Sequence, residues 1–261
     1  MNVRDVVIKP AEKEEAVHLA AICKRAFETD VEVGSPGPGG PPGYDTADAQ
    51  IRLMKIFDYF TILLDTTMVG GIIVGSVNTE HKVLERIFVD PDVHRHGIGT
   101  KACQLLWECY PDVKLWTLGT PEWNTRTNQF YEKLGFTQIG WDLADPDWRG
   151  RWYQWVVTPS DSYELPPIKE LKEGMRNVTV EGEIKEVSDV RMVRSRKGKP
   201  LSVVNAAMED KTGRIVLVLW NEQIKWITVG DRIRVENGYV NAYRGVNQLN
   251  VGRVGRLIVL M

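Results

Sequence analysis

The 261-residue sequence holds only three cysteines and four histidines. Cys23, Cys103 and Cys109 have no metal-ligand spacing and leave an odd thiol, which argues against a disulfide framework and against a structural metal site. Cys103 and Cys109 lie six apart in a predicted helix and so point to different faces, and the expectation is reduced thiols in the cytosol. Long apolar runs are missing too: none approaches the roughly 20 residues that span a bilayer. The N-terminal stretch MNVRDVVIKPAEKEEA has neither the apolar core nor the small-residue cleavage site of a signal peptide. The reading is therefore a cytoplasmic protein with no metal and no membrane partner. No internal repeat is evident.

What is present is the composition of a globular protein, 43% hydrophobic and 26% charged, in a chain long enough for two ordinary domains. The net charge of −2 hides an asymmetry. Residues 1–166 carry 16 Lys+Arg against 24 Asp+Glu, and residues 167–261 carry 17 against 11. An acidic half joined to a basic half suggests two domains with different partners.

The break falls in TPSDSYELPPIK (158–169), where Pro166 and Pro167 forbid regular structure. The expected division is residues 1–158, a linker at 159–166, and residues 167–261. A second irregular stretch, GSPGPGGPPGYD (34–45), places glycine at 34, 37, 40 and 43, a collagen-like register far too short for a triple helix. Its composition reads as a mobile surface loop, with a lid over a site as the alternative.

In the first part, VRDVVIKP reads as a strand and AEKEEAVHLAAICKRAF as a helix. TADAQIRLMKIF is a second helix, with Thr46 at its N-cap. FTILLD, TMVGGIIVGSV and KVLERIFVD follow as short-linked, hence antiparallel, strands. HRHGIG then opens the helix TKACQLLWECY; VKLWTLG is a strand, TRTNQFYEKLG a helix, and FTQIGWDL and RWYQWVVT are two last strands. The final 95 residues contain about five strands, VTVEGEIKEV, LSVVNAAME, RIVLVLW, DRIRVENGYV and RLIVLM, and one short helical candidate, NEQIKWI. Five strands in that length suit a small barrel.

HRHGIGTKA (94–102) fits the loose G-x-G-x-x-A pattern of a dinucleotide turn. The context opposes that reading. DPDVHRH separates the strand from Gly97, and VKLWTLG ends without the carboxylate that would hold a ribose. An anion cradle needs less: Gly97 and Gly99 let successive N–H groups converge, and a helix from Thr100 adds its positive end. Arg95 and His96 bring donors to the same mouth.

With these residues in place, 83–136 resembles the core of the GNAT superfamily of N-acetyltransferases. VDPDVHRHGIG stands for the family's [QR]-x-x-G-x-[GA] loop after a strand and a Val-x-Pro turn, and NTRTNQFYEKLGF (124–136) for its N-x-x-A-x-x-F-Y-E-K-x-G-F helix. His94 stands where Gln or Arg is usual, and Thr127 where Ala is common. The resemblance implies acetyl-CoA in a cleft between two splayed parallel strands. Pantetheine would pair with the backbone of Ile87, Phe88 and Val89, and pyrophosphate would sit on Arg95, His96, Gly97, Ile98, Gly99 and Thr100. Asn124 would hydrogen-bond the cofactor and Tyr131 would supply the proton for the leaving thiolate. Some relatives carry a glutamate base near the end of the strand matching VKLWTLG; this sequence has none there. Glu85, two residues before Ile87 and on its face by strand period, is either that base or an ion-pair partner at the strand surface. His18 and His81 read as surface or half-buried, and the aromatic run 141–155 as core and rim.

Residues 167–261 resemble the OB-fold domains of replication protein A and of archaeal single-stranded-DNA-binding proteins, through LKEGMRNVTVEGEI, MEDKTGRIVLVLW, VGDRIRVENGYV and YRGVNQLNVGR. DKTG (210–213) replaces the usual D-E-T-G turn. Five cations in RMVRSRKGK, namely Arg191, Arg194, Arg196, Lys197 and Lys199, read as a loop that tracks phosphates. Trp220, Tyr239, Tyr243 and Arg244 offer stacking faces. The combined expectation is an α+β protein: a GNAT-type mixed sheet flanked by helices, then a five-stranded OB barrel. Its activity would be acetyl-CoA-dependent N-acetyl transfer, with single-stranded DNA or RNA as partner and an acceptor on a nucleic acid or an associated protein. The alternatives are a non-catalytic acyl-CoA sensor, and a small-amine acetyltransferase whose barrel serves assembly.

Overall fold

The structure, a computed structural model, describes residues 5–143, 149–157, 163–195 and 197–261, with the backbone alone at Arg253. The first half of the expected linker, and the middle of the aromatic run, lie outside the described residues. Contacts divide the chain into two units. The first is Met1–Leu118, Trp123–Thr137 and Trp155–Thr158; the second is Gly119–Glu122, Gln138–Gln154 and Pro159–Met261.

In the first unit, strands β1 (Val6–Pro10), β2 (Asp58–Leu64), β3 (Thr67–Ser76) and β4 (His81–Val89) form an antiparallel meander. β3, apolar along nearly its whole length, is the central strand and is buried from Val69 to Gly75. β5 (Leu115–Pro121) joins β4 in parallel, which requires a crossover, and helix α3 (Ile98–Glu108) supplies it. Helix α1 (Ala16–Glu28) buries Leu19, Ile22, Cys23 and Ala26, one helical stripe, against Tyr59, Ile73 and Phe88 of the sheet. Helices α2 (Ala47–Met54) and α4 (Thr125–Lys133) complete the unit. Thr46 does occupy the α2 N-cap in extended conformation, although its side chain makes no capping bond.

The second unit contains most of β6 (Thr137–Asp142) and of β7 (Gly150–Val156), and a closed barrel. β8 (Arg176–Val187), β10 (Pro200–Asp210), β11 (Gly213–Trp220), β13 (Val246–Leu260) and β12 (Arg232–Tyr243) pair in that cyclic order, with β12 returning to β8. Alternate residues fill the interior: Val178 and Val180, Ala206 and Met208, Ile215, Leu217 and Leu219, Ile233 and Val235.

Three elements differ from expectation. Arg191–Arg194 is a strand, β9, paired only with β10; its cations sit outward on a sheet margin, where no apolar alternation is needed. NEQIKWI is a 3-10 turn over Asn221–Trp226. β13 starts ten residues before RLIVLM, because Asn247, Gln248 and Asn250 mask its strand character in sequence. Gly252 and Gly255 are required there: a Cβ would stand 2.9 Å from the Asn237 carbonyl and 3.0 Å from that of Glu236.

The DKTG turn shows why an aspartate heads it. Asp210 Oδ1 accepts from the Thr212 and Gly213 N–H groups and the Thr212 hydroxyl, while Oδ2 accepts from Ile168 N–H. Burial pushes the carboxyl up, but these bonds outweigh it and hold the group below its ordinary pKa. A depressed folded pKa stabilises above the unfolded value and loses that contribution as pH falls through the folded one. Asp210→Ala should therefore cost the barrel about 1–3 kcal/mol at pH 7. In urea titrations, the difference from wild type should persist down to about pH 4 and shrink below it. A gap that does not change with pH would remove the carboxylate from the account.

Candidate active site and nucleic-acid interface

The β4–β5 ladder is short. It registers His81 with Leu115, Lys82 with Trp116 and Val83 with Thr117, and no further pair among the described residues. β4 continues for six residues beyond that point, so the backbone of Leu84–Val89 turns an edge without a registered β5 partner toward the divergence. His81, fully buried, is not the surface or half-buried histidine expected; its Nε2 lies 2.9 Å from Thr117 Oγ1, where the two parallel strands are still paired.

Beyond Val89 the chain makes a 3-10 turn, Pro91–Val93, capped by Asp90. Arg25 of α1 forms an ion pair with Asp90. Arg95 (φ 64°) and Gly97 (φ 77°) are then both left-handed, and α3 begins at Ile98 with no side chain capping it. The first helical bond runs from Lys101 N–H to the Gly97 carbonyl at 2.9 Å. Helix geometry therefore leaves the 98, 99 and 100 N–H groups facing outward from the turn. Arg95, His96, Gly97, Ile98, Gly99 and Thr100 thus form one contiguous mouth. His94 Nε2–H donates to the Val89 carbonyl at 2.7 Å, tying the loop back to β4.

Asn124 is the N-cap of α4, 2% exposed, with Oδ1 accepting from Thr127 N–H at 3.1 Å. Its neighbour Asp30 is a group that sequence reasoning missed. Burial raises the Asp30 carboxyl above its usual pKa, against the pull of Arg126, Asn124 and His94. Arg126 Nη2 pairs with Asp30 at 2.5 Å and donates to Thr29 Oγ1 at 3.0 Å. No spacing could have revealed a contact between residues 96 apart. Tyr131, on α4, lies between the rings of Phe130 and Phe136 (centroids 5.2 and 6.0 Å) and is 6% exposed. Burial pushes its phenol far above the ordinary value, and Cys103 and Asp30 add to the rise. Cys103, wholly buried, is itself pushed up to about 12.

Glu85 does not follow the simple strand period. Ile73 registers with Arg86 and Val74 with Leu84, so Glu85 is the extra residue of a β-bulge. A Cβ on Gly75 would stand 2.7 Å from Glu85 Oε1, which places this carboxylate over β3. Ile87 and Val89 are half-buried on β4, while Phe88 points into the core.

On the barrel, Arg191, Val203 and Trp220 stand in one cross-strand row through β9, β10 and β11. Val218, Asn250 and Tyr239 form another through β11, β13 and β12. Both rows lie on the outer face, since Leu217, Leu219 and Val240 face the core. Tyr243 and Arg244 sit at the β12–β13 hairpin, where Arg244 (φ 51°) and Gly245 (φ 79°) make a two-residue turn. The Arg244 guanidinium lies 5.3 Å from the Tyr243 ring centroid. Counting registered residues, this tip is about six residues, roughly 20 Å, along the strands from Trp220. Register therefore sets Tyr243 and Arg244 at the end of the strands away from Trp220, with Tyr239 at a level between them. Arg194 ends β9, and Lys197 and Lys199 are on the β9–β10 turn, closed by Ser195 N–H to the Lys199 carbonyl. Arg196 lies outside the described residues. Among the described residues, no cluster of three or more His, Cys, Asp or Glu could hold a metal ion, and no helix is long and apolar enough to cross a membrane.

This geometry, a sheet whose parallel strands part beside a left-handed turn at a helix N-terminus and, later in the chain, a five-stranded barrel, is that of an acetyltransferase domain followed by an OB domain. Residues 34–136 match the acetyltransferase (GNAT) family, and residues 174–259 match the family of single-stranded DNA binding protein Ssb-like OB folds. The chain thus carries a GNAT domain and an Ssb-like OB domain. It is similar to the single-stranded DNA binding protein Ssb of Saccharolobus solfataricus, 32% identical over 85 residues, which is 33% of this chain and 57% of that protein. The uncharacterized protein YrkN of Bacillus subtilis is 38% identical over 79 residues, 30% of this chain and 43% of its own. The chain therefore spans about half the length of these curated relatives. An acetyltransferase from Thermus thermophilus superposes with TM-score 0.50 at 16% identity, over 60% of this chain and 100% of that one, a likeness of fold alone.

Proposed function

We propose that the first unit transfers an acetyl group from acetyl-CoA to an amine and that the barrel binds single-stranded nucleic acid. The observation that carries the first half is the left-handed turn at Arg95 and Gly97. It aims the α3 N–H groups at one point beside the unpaired end of β4. Pyrophosphate is the anion such a mouth suits, and pantetheine can pair with the backbone of Ile87, Phe88 and Val89. Tyr131 then holds a proton for the departing thiolate, and Glu85 or a water beside it accepts the amine proton. Attack forms the C–N bond, and collapse of the tetrahedral oxyanion breaks the C–S bond. The barrel places Arg191 in one cross-strand row with an exposed tryptophan on an Ssb-like fold, a pairing suited to a strand with unpaired bases.

Gly99→Glu tests the turn. A Cβ at this position would be 3.4 Å from the Phe130 ring, ordinary contact, and an acid at a helix N-terminus favours the helix, so the fold should survive. The carboxylate should nevertheless repel the pyrophosphate and weaken acetyl-CoA binding to the full chain by roughly 100-fold or more in calorimetry, the cost of two like charges at close range. Unchanged affinity would place the cofactor elsewhere.

A further inference from the structure

Arg86 is the least explained charge in the first unit. It follows the Glu85 bulge on β4 and shares its face with Phe88, under α1 and the Gly/Pro segment 34–45. Its Nη1 is buried with no hydrogen-bond partner, and among the described residues Arg86 makes no ion pair. Its nearest described neighbours are an aromatic ring and a thiol, and the carboxylate of Asp45 lies near enough to act on that same thiol. The guanidinium lies 5.8 Å from the Phe27 ring centroid, and Phe27 meets Tyr44 edge-on at 6.0 Å. The Cys23 thiol is beside it, held up to about 12 by burial against the pull of Arg86, so the thiol stays uncharged. Glu85, next in sequence, is turned over Gly75.

The later part of the segment above is packed, at Gly40, Gly43 and Tyr44, while Gly37 and Gly39 have open space beside them. Gln50, fully buried on α2, donates from Nε2 to the Gly43 and Tyr44 carbonyls at 3.3 and 3.0 Å and accepts from the Tyr59 hydroxyl at 2.7 Å. A Cβ on Gly40 would be 2.7 Å from the Tyr44 ring and 3.0 Å from Phe27 Cβ. Glycine at 40 and 43 therefore serves close approach to Tyr44, Phe27 and Ala49.

A half-buried guanidinium with one buried, unbonded N–H group and no ion pair is costly to hold, and water can solvate but not neutralise it. We infer that Arg86 is the recognition point for the acetyl acceptor, and that the acceptor is an amine bearing a carboxylate. This rests on the acetyltransferase reading, under which Arg86 directly precedes the β4 segment assigned to pantetheine. The planar fork of arginine matches a carboxylate. One cation without an ion pair balances one negative charge, and with the Asp45 carboxylate in the same neighbourhood a singly charged carboxylate suits it better than a phosphate dianion. Free amino acids and peptide termini share this chemistry.

The test uses the full chain with acetyl-CoA and a panel of α-amino acids and dipeptides, each beside its C-terminal amide, with glutamate beside glutamine. Transfer is read as kcat/KM, and binding by calorimetry in the presence of coenzyme A. Wild type should prefer carboxylates by roughly tenfold or more, since a site built to bond a polar group rejects analogues that lack it. Arg86→Met should erase that preference while acetyl-CoA binding stays unchanged, and Arg86→Lys should keep part of it. Equal use of acid and amide by wild type, or a preference that survives Arg86→Met, overturns the inference and leaves acetyl transfer standing. Carboxylate-dependent binding that is lost in Arg86→Met, without any transfer, supports the site and removes the transferase reading. Neither transfer nor carboxylate-dependent binding overturns both.

Discussion

Tyr131→Phe should lower the single-turnover rate of acetyl transfer by roughly 10²-fold or more, within the range of general acid–base contributions, and leave acetyl-CoA affinity nearly unchanged. The substitution removes one oxygen from a side chain whose ring packs between Phe130 and Phe136, so shape and packing survive. The burial that raises the phenol pKa keeps the proton in place throughout the neutral range. A group that never loses its proton in the resting enzyme is ready to donate when a thiolate forms against it. The loss should thus appear in the chemical step alone. Equal falls in rate and cofactor affinity would instead mean that Tyr131 only shapes the cleft. A rate equal to wild type would remove it from the mechanism.

The elements that proved legible were those with strong local periodicity. α1 carries its apolar residues at helical spacing, and β3 is an unbroken apolar run, so both stand close to where pattern alone put them. The turn at 94–100 was equally readable, because glycine spacing and a following helix are local signals. Less legible were features created by register. Glu85 leaves the period of β4 only because β3 pairs around it, and a bulge leaves no mark in the residues themselves. β9 and the first half of β13 were hidden by arginines, asparagines and glycines that face outward or approach a neighbouring backbone.

The chemistry beneath the surface divided in the same way. Tyr131 and Asn124 came from a motif with fixed spacing. Asp30 and Arg126, and Arg86 beneath segment 34–45, depend on contacts between distant parts of the chain. His81 looked ordinary in sequence and is wholly buried where β4 and β5 still pair. Among the stacking residues of the barrel, sequence placed Tyr243 and Arg244 near the loop between strands four and five but gave no distance from Trp220. Register separated them, because a hairpin carries Tyr243 and Arg244 away from Trp220 along the strands.

That separation sets the second large effect. Trp220→Ala should weaken binding of the full chain to a dye-labelled oligo-dT, read by anisotropy, by about 1–3 kcal/mol, the usual worth of one stacked base. Trp220 is 38% exposed at the end of β11, so its removal should cost the barrel little. Affinity should fall with salt, each neutralised phosphate adding about −0.7 to the log–log slope. Trp220→Ala should leave that slope nearly intact. Arg194→Ala combined with Lys197→Ala should act in the opposite sense, making the slope shallower by about 1.4 with base preference unchanged. Tyr243→Ala distinguishes a strand that runs the length of the outer face from one confined to the Trp220 end. On a strand of about 20 Å or more, its loss should resemble that of Trp220; on a very short oligonucleotide it should have no effect. Stacking needs open base faces, so duplex DNA should bind more weakly than single strands at equal salt. Equal affinity for the two, with all three variants acting only through the slope, would mean that the barrel senses phosphate alone and would exclude the stacking platform.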